Sequence, residues 1–137
     1  MSEARAHRVF HVVVVDDDAS IRLMVHAMLE CDRRLHVVGE AFNGSDAIRL
    51  VERTCPDAVV LGMQMPFIDG VTAARMITRA CEKTAVIVFS TVSVPTLIQS
   101  ALDAGVDRYL PKTAPPELLA DAIEESCISR QAHRLAV

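Results

Sequence analysis

The sequence predicts a doubly wound α/β fold, with five parallel strands and helices packed on both faces of the sheet. Three observations predict it. Short runs of β-branched residues alternate with longer amphipathic runs along the chain. The short runs are continuously apolar, as Val12-Val13-Val14-Val15 shows, and do not alternate with polar residues, so they suit strands covered on both sides. At 137 residues the chain has room for five βα units and a proper core in one domain.

The first strand is expected over Val12–Val15, running straight into Asp16-Asp17-Asp18. Asp18 is a natural N-cap for the first helix. In that helix Ile21, Met24, Val25, Met28 and Leu29 fall at i, i+3, i+4, i+7 and i+8, one helical face. His36–Glu40 makes a second strand, and Asn43 or Ser45 starts a second helix running to about Arg53. Ala58–Leu61 is the third strand. Asp69-Gly70 then precedes a third helix near Val71–Ala80.

Val86–Phe89 is the fourth strand, and Ser93 is the expected cap of a fourth helix carrying Leu97, Ile98, Ala101 and Leu102, closed by Gly105. Val106–Leu110 is the fifth strand. Pro116, in a first turn where a missing N–H costs least, opens a fifth helix through Leu118, Leu119, Ala122 and Ile123. Right-handed crossovers leave few topologies, and the flavodoxin-like order 2-1-3-4-5 is the natural one. Ligands in such sheets bind at the carboxyl ends of the central strands.

Composition excludes several functions. A net charge of −4 without a dense Lys/Arg stripe argues against direct nucleic-acid binding; Arg33-Arg34 and Arg130…Arg134 are too sparse. No apolar stretch approaches the ~20 residues of a membrane span, and Met1–Phe10 is not a signal peptide. Cys31, Cys55, Cys81 and Cys127 are widely spaced with no CxxC pair, which fits reduced cytoplasmic thiols better than a disulfide framework or a zinc site. A disordered segment 1–8, a domain over 9–129 and a tail 130–137 too short for an effector domain are the expected organisation.

The chemistry-bearing residues gather at the strand ends. Asp16 and Asp17, two adjacent acids leaving a buried valine run, are placed to hold Mg²⁺ directly or through water, and Asp18 reads as solvated loop. Around them come Pro56-Asp57-Ala58-Val59-Val60-Leu61-Gly62-Met63-Gln64-Met65-Pro66-Phe67-Ile68-Asp69-Gly70, then Val86-Ile87-Val88-Phe89-Ser90, then Tyr109-Leu110-Pro111-Lys112.

Together these segments resemble the receiver domain of two-component response regulators over roughly residues 9–128. Val37-Val38-Gly39-Glu40-Ala41 and the stretch from Tyr109 to Leu119 look most like the NarL/FixJ-type subfamily, whose receivers usually precede a helix-turn-helix domain. The resemblance implies an acidic pair at Asp16 and Asp17, a metal-binding backbone carbonyl at Gln64, a phosphoryl-binding hydroxyl at Ser90, a cation at Lys112 and a switch aromatic at Tyr109. It also implies an aspartate that accepts the phosphoryl group, and the matching residue here is Gly62. Thr91 departs as well, adding bulk where the family usually keeps Ala or Gly.

A glycine has no atom to phosphorylate and gives the metal no side-chain ligand, so the expected Mg²⁺ site is weakened or vestigial. Asp57, starting the third strand, and Asp69, capping the third helix, are poor substitutes. The leading reading is therefore a degenerate, non-enzymatic cytoplasmic receiver that signals by protein–protein contact without phosphorylation at position 62. Its contact surface is expected around Thr96–Leu102 and Tyr109–Glu117, toward a protein partner or a second copy, with the part of a histidine kinase left open. The alternative is an ordinary phosphoacceptor receiver regulating a DNA-binding output domain, its aspartate at 62 mutated or lost. An enzyme on the same fold is disfavoured, because no glycine-rich phosphate loop follows the first strand and its three aspartates would repel phosphate.

Overall fold

The computed structural model describes residues 8–136. Five strands, β1 Phe10–Val15, β2 Leu35–Ala41, β3 Ala58–Leu61, β4 Ala85–Ser90 and β5 Arg108–Pro111, form one parallel sheet in the order β2-β1-β3-β4-β5. Five helices connect them: α1 Ala19–Glu30, α2 Gly44–Thr54, α3 Gly70–Ala80, α4 Pro95–Asp103 and α5 Pro116–Ala136. The predicted fold class and strand order are those observed.

The core splits by strand parity. On one face Val12 and Val14 of β1 join Val60, Ile87 and Phe89 beneath Leu29 of α1 and Leu119 and Ile123 of α5. On the other, Val13 and Val15 join Val59, Leu61 and Val88 beneath Val51 of α2 and Ile77 of α3. Every residue of β3 and β4 is buried, which explains why these strands read as unbroken apolar runs.

Caps follow short polar side chains where they exist. Asp18 accepts from the Ser20 and Ile21 N–H groups, Asn43 from Asp46, and Asp69 from Thr72. Helix α4 departs from expectation: its N-cap is Val94, without a side-chain hydrogen bond, and not Ser93. Pro95 at the first turn sets the start, because its fixed φ suits that position. β5 begins at Arg108, two residues later than expected, after Gly105 turns the chain at φ +108°.

The described residues cover only part of the two expected end segments. Positions 1–7 of the anticipated disordered segment, and Val137, lie outside the described residues. Arg8 is instead held, with its guanidinium 4.8 Å from the centre of the Phe10 ring and bonded to Gln131. The stretch set apart as a tail continues α5 to Ala136. Arg130 anchors it by donating to the Glu82 and Gly105 carbonyls and to the Asp107 carboxylate. Arg34 ties the start of β2 to α5 through Asp121 and Glu124, and its hydrogen bond to Asp32 holds that carboxyl below the usual range.

The cysteine expectation is corrected. Cys31 and Cys127 are free, but Cys55 and Cys81 form a disulfide. They lie 26 residues apart, so their spacing gave no motif; the fold brings the ends of α2 and α3 together and sets their Cα atoms 5.8 Å apart. No helix among the described residues is long and apolar enough to cross a membrane.

Candidate functional site

The carboxyl ends of β1, β3, β4 and β5 meet around a cavity of about 180 Å³. Asp16, Asp17 and Asp18 line it from the β1 end, Met63 and Gln64 from the loop after β3, Ser90 and Thr91 from β4, and Lys112 from β5. The fold thus collects Asp16, Asp17, Gln64, Ser90, Thr91 and Lys112 in one place. Tyr109 is set apart from this lining.

Asp16 is the best-held side chain in the site. It is buried, and its Oδ1 accepts the Asp18 N–H at 3.0 Å while its Oδ2 accepts the Lys112 ammonium at 3.1 Å. Arg22 of α1 donates to the Asp16 carbonyl at 2.7 Å, a contact that sequence spacing did not reveal. Asp17 and Asp18 are exposed.

Gly62 explains where Asp16 points. Gly62 is buried at the end of β3, and its N–H donates to the Val15 carbonyl at 2.9 Å. A Cβ added at Gly62 would lie 2.8 Å from Asp16 Oδ2, closer than such atoms approach. The Asp16 carboxylate therefore leans into volume that a side chain at position 62 would use. From there it neutralises Lys112, whose side chain is only 20 % exposed.

On the β4 and β5 side, Ser90 is buried and its Oγ accepts the Val92 N–H at 3.1 Å, so the hydroxyl is engaged in turning the loop. The Lys112 N–H donates to the Ser90 carbonyl at 3.0 Å, which locks the two strand ends together. Tyr109 is half-buried, and its hydroxyl donates to the Val92 carbonyl at 2.6 Å. That bond holds the ring against the same loop. Thr91 is exposed.

Both Asp16 oxygens are engaged, Gly62 adds none, and among the described residues no group of three His, Cys, Asp or Glu side chains is placed to hold a metal ion. Asp69 caps α3, and Asp57 accepts the His11 N–H at 2.8 Å, so neither carboxylate reaches into the cavity.

The loop from Gly62 to Gly70 is shaped by its last residue. A Cβ on Gly70 would meet Met63 Cα at 2.7 Å and the Gly62 carbonyl oxygen at 2.8 Å, both backbone atoms that cannot swing aside. Gly70→Ala is expected to lower stability by about 2 kcal/mol through this overpacking, read by urea denaturation. A loss under ~0.5 kcal/mol would mean the loop re-forms freely around the new methyl. Phe67, at φ +71° and 97 % exposed, is a second feature of this loop that the sequence reading passed over.

Comparison with known proteins agrees with this architecture. The family model for the response regulator receiver domain matches residues 12–124. A protein-glutamate methylesterase/protein-glutamine glutaminase 2 of Photobacterium profundum is 38 % identical over 103 residues, 74 % of this chain and 26 % of that protein. The transcriptional regulatory protein LiaR of Bacillus subtilis is 31 % identical over 112 residues, 82 % of this chain and 53 % of that protein. The receiver domain of the response regulator NarL from Mycobacterium tuberculosis superposes with a TM-score of 0.78 at 30 % identity, covering 85 % of this chain and 98 % of that one. The chain spans from about a quarter to about half of the length of these two curated relatives.

Proposed function

The chain belongs to the response regulator receiver domain family, and on that footing we propose that it is a degenerate member that signals by protein–protein contact without phosphorylation at position 62. The observation that carries the reading is the seating of Asp16. Gly62 stands where receivers keep the acceptor aspartate, and the Asp16 carboxylate leans into the vacated volume and pairs with Lys112. The cation that would otherwise meet a phosphoryl oxygen is already neutralised. Any Mg²⁺ held by Asp16, Asp17 and the Gln64 carbonyl binds weakly, because one carboxylate is missing and another is engaged.

Signalling by a receiver is a population shift between two packings of the same domain. Here the Tyr109 hydroxyl donates to the Val92 carbonyl and the Ser90 hydroxyl accepts the Val92 N–H, so both side chains tie the β4–α4 loop to the sheet. The domain works as a docking module through the face built by α4, β5 and the start of α5, where Leu97, Leu102 and Leu118 are exposed. The domain works in the cytoplasm, is not itself an enzyme and does not touch nucleic acid.

A second reading is an ordinary phosphoacceptor receiver of NarL/FixJ type, coupled to an output domain, whose acceptor has been mutated or lost. The greater length of LiaR and of the methylesterase favours an attached output.

The first experiment is incubation of the chain with acetyl phosphate and Mg²⁺, followed by intact mass. No phosphoryl gain is expected at any donor concentration. A gain would overturn the proposal and send the search to a surrogate acceptor.

A further inference from the structure

We propose that Cys55 and Cys81 form a reversible disulfide, a redox-modified site at the end of the sheet opposite the acidic cavity. Local rules alone argue against a cysteine at position 55. It closes α2 in the left-handed conformation, at φ 40° and ψ 63°, where glycine or asparagine is favoured. It also precedes Pro56, and residues before proline avoid helical backbone angles. A bond to Cys81, at the end of α3, gives a reason for that side chain in that place: the two Cα atoms lie 5.8 Å apart, within the range a disulfide needs.

The site is reachable. Cys55 is half-buried, and a surface cavity opens beside the pair, flanked by Arg79 and Lys83. With Glu82 also on the rim, the lining carries a net positive charge, which draws in an anionic low-molecular-weight disulfide such as oxidised glutathione. One protein thiolate attacks that disulfide and releases one small thiol. The second protein thiolate then attacks the mixed disulfide, forms the Cys55–Cys81 bond and releases the other small thiol. Two protein thiols are oxidised as one small disulfide is reduced to two thiols. Cys127 is no competitor, since burial pushes its thiol up to about 12.

Reversibility rests on the cytoplasmic reading above. Disulfides there are transient and redox-sensing, not structural staples. The chain just after Cys81 is also tied to α5. Arg130 of α5 donates to the Glu82 carbonyl, one residue past Cys81, and to the Gly105 carbonyl and Asp107 before β5.

The test equilibrates the whole chain across glutathione buffers from reducing to oxidising, quenches with acid and alkylates free thiols in denaturant. The mass should change from four alkylated cysteines to two, and peptide mapping should join Cys55 to Cys81. Melting temperature should rise by about 10 °C on oxidation, as a loop of this length implies. Cys55→Ser and Cys81→Ser should each lose that redox dependence. Four alkylated thiols in every buffer, or a bond to Cys31 or between chains, would overturn the pairing. Two alkylated thiols even in excess reduced glutathione would overturn reversibility, and would count against the cytoplasmic reading while leaving the pairing intact.

Discussion

Asp16→Ala should cost the chain about 2–3 kcal/mol, measured by urea denaturation. Most of that loss belongs to what is left behind. Lys112 is four-fifths covered and loses its carboxylate partner at 3.1 Å, and the Asp18 N–H loses its acceptor at 3.0 Å. The figure sits at or below the low end for broken buried pairs because the Lys112 ammonium can turn toward water through the open side of the cavity. Lys112→Met in the Asp16→Ala background should restore about 1 kcal/mol, since an apolar chain of similar length needs no partner. If the double variant is no more stable than Asp16→Ala, the ion pair is not what holds Asp16 in place. Because the pair is largely covered, added salt should change the single-variant cost little.

The same pair separates what the sequence could disclose from what it could not. The acidic run after β1 was legible because a strand run locates it without reference to distant atoms, while Gly62, Ser90 at the end of β4 and Lys112 just past β5 were picked out by the resemblance of their segments to receiver domains. The caps at Asp18 and Asp69 were legible because each side chain bonds a backbone N–H two or three residues away. The direction of the Asp16 carboxylate was not legible. It depends on empty volume on a neighbouring strand, which no local pattern encodes. Cys55–Cys81 and the Arg130 network escaped likewise, since both join segments 23 or more residues apart. Ser93 failed as a cap because a hydroxyl in register yielded to the proline two residues later, whose ring fixes where the helix begins.

Gly62→Asp is expected to turn a chain that takes no phosphoryl label into one that takes a single label from acetyl phosphate and Mg²⁺. A carboxylate at the end of β3 can displace acetate from the donor, provided Asp16 vacates the volume it now shares. Gly62 is where that contest is decided: a Cβ there already sits 2.8 Å from Asp16 Oδ2, but the obstacle is the end of a side chain and not backbone. Rotation of Asp16 breaks its bond to Lys112 and leaves both carboxylates competing for one ammonium. The variant should therefore lose about 2 kcal/mol in chelator through repulsion between like charges, and Mg²⁺ should restore much of it. The native chain, with one fewer negative charge to screen, should show a melting temperature almost flat in Mg²⁺. The two readouts separate the readings of this domain. If Gly62→Asp is labelled and gains stability from Mg²⁺, the pocket is otherwise competent and Gly62 alone keeps the native chain from phosphorylation, as the proposed reading requires. If it gains stability from Mg²⁺ without label, entry of the donor is blocked, and Thr91→Ala in the same background should restore labelling. If it does neither, Asp16 and Lys112 have settled into a pairing that excludes a second carboxylate, and a dedicated docking module is the stronger account.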